Sequence, residues 1–86
     1  MRGFTERELE ILCLAARGES NYAIAYELGL QVQTVKNYLQ GAYSKLFKDS
    51  RKPGKGGRRT LTIFYALRTG QLSWKEIEEE NNDELH

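Results

Sequence analysis

Lys36, Asn37 and Gln40, with Gln33 one turn earlier, are the residues of this chain best suited to recognition chemistry. Positions 33, 36, 37 and 40 share one face if the segment is helical, because residues three and four apart are neighbours on a helix surface. A lysine ammonium suits the O6 and N7 acceptors of guanine, and an asparagine or glutamine amide pairs bidentately with N6 and N7 of adenine. The plainer reading of such a face is a solvated helix surface, which is what a lysine there marks in most proteins. Nucleophilic and metal chemistry have far less to work with. The single histidine, His86, is the last residue, and the single cysteine, Cys13, lies in the apolar run Ile11–Ala16. No Cys/His metal cluster and no rigid Ser–His or Cys–His pair can be assembled from these. GKGGRR has neither the spacing of a P-loop nor a preceding strand. An enzyme is therefore disfavoured, and neither a cofactor nor a metal is expected.

The elements that must position the polar face announce themselves by their ends. Thr5 and Glu8 have the spacing of a capping box, and Phe4 and Leu9 that of a hydrophobic staple. Leu9, Leu12, Cys13 and Ala16 then recur at helical period, and Gly18 closes this first helix. Ser20 or Asn21 caps a short second helix running to Leu28, with Ile24, Ala25 and Leu28 inward and Gly29 at its end. A third helix from about Val32 to Leu46 buries Val35, Leu39, Ala42, Tyr43 and Leu46 and turns Gln33, Lys36, Asn37, Gln40 and Ser44 outward. Residues 48–59, KDSRKPGKGGRR, hold six basic side chains, three glycines and a proline, and read as a long basic loop. Helical patterning resumes from Thr60 to Thr69. There Leu61, Ile63, Phe64, Tyr65 and Leu67 form an apolar belt wider than one stripe, as two buried faces require. Ser73 and Glu76 repeat the capping-box spacing at the start of a short acidic C-terminal helix, whose Trp74 and Ile77 are suited to pack it back on the bundle.

Eighty-six residues form one small all-α domain, since a chain of this size buries only roughly 60–65% of its unfolded surface. No stretch is long and apolar enough to span a bilayer, so no membrane association is expected. An unpaired cysteine that behaves as a small hydrophobe fits a reducing cytoplasm. The net charge of +1 is a cancellation: residues 1–30 carry −2, residues 31–70 carry +8 and residues 71–86 carry −5. The electropositive middle holds both the polar helix face and the basic loop, which favours nucleic acid as the partner.

Short helix, glycine turn and longer helix over Glu19–Leu46 have the form of a helix-turn-helix, which presents its second helix to the major groove. The runs FTERELEIL, RGESNYAIAYELGLQVQTVKNYLQGAYSKL and RTLTIFYALRTGQL together resemble the LuxR-type (GerE-like) helix-turn-helix domain over about residues 4–72. The resemblance rests on an opening T-x-R-E, a G-x-S-N before the scaffold helix, an I-A-x-x-L-G core and turn, and T-V-K-N within the recognition helix. It implies a four-helix bundle occupying residues 1–72, with the basic insertion at 48–59, followed by an acidic tail at 73–86. It further implies that Lys36, Asn37 and Gln40 face bases, with Gln33 and Thr34 near the groove edge. By the same resemblance Ser20, Asn21, Tyr22 and Lys45 face the phosphate backbone, and Leu61, Phe64, Tyr65 and Arg68 on the fourth helix form the surface through which two copies pair.

Three departures from the family pattern stand out. Gln31 caps the recognition helix where serine or threonine is usual, and is the weaker cap. Tyr38 replaces a common histidine. The connection between the third and fourth helices is longer than usual and strongly basic. Three roles are open for it: a solvated loop, a surface for protein or RNA, or an arm that lays Lys52, Lys55, Arg58 and Arg59 along the phosphates. The expected function is that of a cytoplasmic, dimeric transcriptional regulator binding a specific site on double-stranded DNA. The alternative is a module similar to region 4 of sigma factors, acting by docking on RNA polymerase or another transcription factor through residues 74–80. A start at Met-Arg-Gly fits a free-standing regulator and an excised effector domain alike.

Overall fold

Local rules set the helix boundaries of the computed structural model, which describes residues 3–47 and 55–78. Helix α1 spans Glu6–Ala16 and opens with the expected capping box: Glu8 N–H donates to Thr5 Oγ1 at 3.1 Å, and Thr5 N–H donates to Glu8 Oε1 at 2.8 Å. Helix α2 spans Asn21–Leu28, and its cap is Ser20, whose hydroxyl accepts from Ala23 N–H. Gly29 then takes φ 69° and ψ 33°, a left-handed conformation that lets Leu30 N–H return to Ala25 O at 2.8 Å and turns the chain sharply into the next helix. Helix α3 spans Val32–Ser44, and Gln31 makes no side-chain capping bond, as its length implies. Helix α3 ends two residues early, where Lys45 and Leu46 tighten to i→i−3 hydrogen bonds. Helix α4 spans Lys55–Arg68, and a single helical turn over 74–78, α5, follows a second capping box between Ser73 and Glu76. No strand occurs among the described residues.

Ile11 and Leu12 of α1, Ile24 of α2 and Val35 of α3 are fully buried and form the centre of the core, with Leu39, Ala42 and Ala66 around them. The buried side of α1 is turned from the expected stripe. Ile11, Leu12, Leu14 and Ala15 are inside, whereas Leu9, Cys13 and Ala16 lie at the margin. The run ILCLAA is apolar on every face, so periodicity alone leaves its phase undetermined. Glu8 shares the buried side because Thr5 N–H and Lys45 Nζ both bind its carboxylate.

Two further expectations are corrected around α4. The expected loop over 48–59 is too long: Lys55–Arg59 are already helical, and residues 48–54 lie outside the described residues. Gly56 and Gly57 each cost a helix about 1 kcal/mol, and long-range contacts offset this. Arg59 Nη2 donates to Glu19 O at 2.7 Å, and Arg59 Nη1 donates to Asn21 Oδ1 at 3.1 Å, fixing the start of α4 against the start of α2. The inner face of α4 consists of its smallest side chains, Thr62 and Ala66, both fully buried. Thr62 Oγ1 is satisfied within the helix by donating to Arg58 O at 2.7 Å. The larger members of the expected belt divide: Ile63, Tyr65 and Leu67 are half-buried, while Leu61 and Phe64 face outward.

The chain beyond α4 does not leave the bundle at once. Leu72 and Ile77 join the core, and Arg17 binds the end of α5 by donating from Nε to Ile77 O at 2.8 Å and from Nη2 to Glu76 O at 2.7 Å. Residues 73–78 therefore pack with the domain expected to stop at 72, and Ile77 alone of the expected pair is buried, since Trp74 is 61% exposed.

Candidate nucleic-acid interface

Val35 and Leu39 anchor the inner side of α3, and this orients the opposite side outward. Gln33, Lys36, Asn37 and Gln40 are all exposed there, and Thr34 is half-buried at the edge. Gln33 Nε2 donates to Asn37 Oδ1 at 3.0 Å, an i,i+4 bond that orders both amides while leaving the Asn37 amide donors outward. Four hydrogen-bonding side chains thus stand on one face of a helix whose opposite side is fixed in the core.

The residues expected to face phosphates separate into distinct groups. Ser20 and Tyr22 lie exposed at the start of α2, with Tyr22 72% exposed. Asn21, beside them, is engaged by Arg59. Lys45 is placed elsewhere. Its Nζ lies 2.6 Å from Glu8 Oε1 and 3.1 Å from Gly3 O, and 5.7 Å from the Phe4 ring centroid. This pairing fastens α3 to α1 and sets Lys45 apart from the other residues expected to face phosphates. Lys52 lies outside the described residues, and Lys55 is the first residue of α4.

Arg58 and Arg59 come to the polar side of α3, beside Lys36 and Gln40. The Arg58 guanidinium sits 5.9 Å from the Tyr43 ring centroid. Burial raises the Tyr43 phenol above its ordinary value, opposed in part by the nearby positive charges of Arg59 and Arg58. A cleft of about 350 Å³ runs between α3 and α4, with Lys36 and Gln40 on one wall and both arginines on the other. Sequence reasoning placed the arginines in a loop and missed this wall, because what creates it is the tether from Arg59 to Asn21 and Glu19, which leaves no local signal.

On the outer side of α4, Leu61 (45% exposed), Phe64 (56%) and Arg68 line a second shallow groove with half-buried Tyr65. Leu46 and Phe47, just beyond the end of α3, complete it and were not expected there. Tyr65 is held edge-on to Phe4, with centroids 6.3 Å apart. Among the described residues no group of three His, Cys, Asp or Glu side chains is placed to hold a metal ion, and no helix is long and apolar enough to cross a membrane.

A scaffold helix, a glycine turn and an exposed polar helix face define a helix-turn-helix module. The family model of the bacterial regulatory proteins, luxR family, matches residues 2–52, more than half of the chain, and the chain belongs to that family. It is a LuxR-type DNA-binding domain homologous to regulators of transcription. The transcriptional regulatory protein LiaR of Bacillus subtilis is 50% identical over 42 residues, which cover 49% of this chain and 20% of LiaR. The response regulator protein VraR of Staphylococcus aureus is 38% identical over 63 residues, covering 73% of this chain and 26% of VraR. VraR of Staphylococcus saprophyticus matches to the same extent. The chain spans about a quarter or less of the length of these relatives. No solved structure matches it.

Proposed function

We propose that the chain is a transcriptional regulator of the cytoplasm that binds a specific site on double-stranded DNA, with α3 in the major groove. The observation that carries this reading is the exposed α3 face of Gln33, Lys36, Asn37 and Gln40, whose donors and acceptors match base edges. Thr34 lies at its edge, and in this reading the exposed Ser20 and Tyr22 at the start of α2 meet the phosphates. Pairing of two copies through Leu61, Phe64, Tyr65 and Arg68 sets two recognition helices roughly 34–36 Å apart on a pseudo-palindrome. The exposure of Leu61 and Phe64 supports that surface.

Selection of bound duplexes from random DNA tests the reading. Wild-type protein enriches one motif, and Lys36→Ala and Asn37→Ala each lose about 1–3 kcal/mol at one base position, roughly 5- to 150-fold. Phe64→Glu leaves the fold intact and converts a palindromic footprint to a half-site. Failure to enrich any motif overturns the proposal. A second reading, docking on RNA polymerase through the last helix, is favoured by the exposure of Trp74 on acidic α5. It requires weak DNA binding by the chain alone and loss of polymerase binding in Trp74→Ala.

A further inference from the structure

Among the described residues, the cleft between α3 and α4 brings together three helices and the cations Lys36, Arg58 and Arg59, with no carboxylate in its lining. The two arginines are in different states. Both Nη groups of Arg59 are committed, one to Asn21 Oδ1 and one to Glu19 O. Arg58 Nε is buried and has no hydrogen-bond partner among the described residues. A buried donor left unpaired is costly, so its neighbourhood is one that an acceptor would stabilise. The Tyr43 ring beneath the Arg58 guanidinium orients that planar fork, whose parallel N–H groups fit two oxygens of one phosphate. Lys36, on the facing wall, adds to the positive potential of the cleft.

We infer that this cleft is the seat of a single phosphodiester of the DNA backbone, gripped by Arg58, with Lys36 left to the adjoining base edge and Arg59 as a positioning residue that holds the wall in place through Asn21 and Glu19. The inference rests on the DNA-binding reading and divides the basic segment by role. Arg58 meets the nucleic acid, and Arg59 shapes the site. The strand then passes between α3 and α4, which sets Gln40, on the same wall as Lys36, against the base adjoining the gripped phosphate.

Two measurements on the full chain test it. The first is a titration with pyrophosphate followed by the arginine side-chain Nε–H resonances. Arg58 Nε–H shifts downfield with one-site saturation and slows its exchange, Arg59 moves little, and Arg58→Gln abolishes saturation. The second is duplex affinity against salt. Arg58→Gln weakens binding about tenfold and lowers the slope of log K on log salt by about 0.9, the loss of one phosphate contact. Arg58→Lys keeps the slope but not the affinity, because the charge remains and the fork is lost. Arg59→Gln and Asn21→Ala weaken binding with the slope unchanged; Asn21→Ala serves as the readout should Arg59→Gln fail to fold. An Arg58→Gln protein with unchanged slope and affinity overturns the inference, as does loss of slope in Arg59→Gln alone. Pyrophosphate saturation at Arg58 together with an unchanged duplex slope assigns the cleft to free anions and overturns the backbone assignment. Absence of any duplex binding defeats the DNA reading itself, while the pyrophosphate titration still reports on the cleft.

Discussion

Replacing Lys45 by methionine separates two accounts of the same residue. As a backbone contact it would contribute to DNA binding and nothing to stability. In the structure it is the partner of Glu8, at 2.6 Å, with the carboxylate side chain 8% and the lysine side chain 18% exposed. Removing one member of a buried pair costs about 3–5 kcal/mol, because the other charge is left uncompensated. Here Glu8 retains the Thr5 N–H at 2.8 Å and the lysine end reaches solvent, so roughly 2–3 kcal/mol is the expected loss. Methionine keeps most of the apolar stem over Phe4, so little of that loss comes from packing. For a domain of this size each kcal/mol is worth about 4–8 °C, and the melting temperature should fall by about 10–20 °C. Thermal unfolding followed by helical circular dichroism measures this. Glu8→Gln preserves the capping geometry, so Lys45→Met in that background should cost less than half as much, which a double-mutant cycle reads directly. A melting temperature within 2–3 °C of wild type, coupled to a salt slope lower by about 0.9, refutes the reasoning and returns Lys45 to the DNA surface.

Ile77→Ala removes the side chain that seats α5 and should cost about 2 kcal/mol, the low end for such truncations because the residue lies on a single terminal turn. An unchanged urea midpoint would show that 74–78 is not docked. Tyr43→Phe should flatten the alkaline limb of the stability curve. The folded phenol holds its proton more tightly than the unfolded one, so its contribution is complete below the ordinary value of about 10 and is lost as pH rises through the folded value. Denaturation midpoints that fall in parallel for both proteins above pH 10 would contradict this.

The features that sequence made legible are those governed by neighbours in the chain. The capping boxes at Thr5 and Ser73 and the left-handed turn at Gly29 depend on residues close together in the chain, and each forms as its pattern implies. The polar face of α3 was legible for the same reason, because Val35, Leu39 and Ala42 leave only one possible outer side. The missing parts are tertiary. Lys45 finds its carboxylate 37 positions away, and no local rule distinguishes a lysine bound for Glu8 from one bound for a phosphate. Glycines at 56 and 57 signal a loop, yet Arg59 is tied to residues 38 and 40 positions back, and the helix extends over them. Thr62 and Ala66 carry too little hydrophobicity to mark the inner side of α4 against louder neighbours such as Phe64.

That arrangement of α4 makes the stability of the domain depend on its surroundings. A helix seated on threonine and alanine withdraws little apolar area from water, and at about 25 cal/mol per Å² its own docking contributes modestly. The area able to contribute more is on Leu61 and Phe64, which the described residues leave open to another molecule. With a second copy as that molecule, mass action links folding to association, and the melting temperature rises with the protein's own concentration. Dilution would then act as a mild denaturant, felt first at the helix that also carries Arg58 and Arg59 to the cleft beside α3.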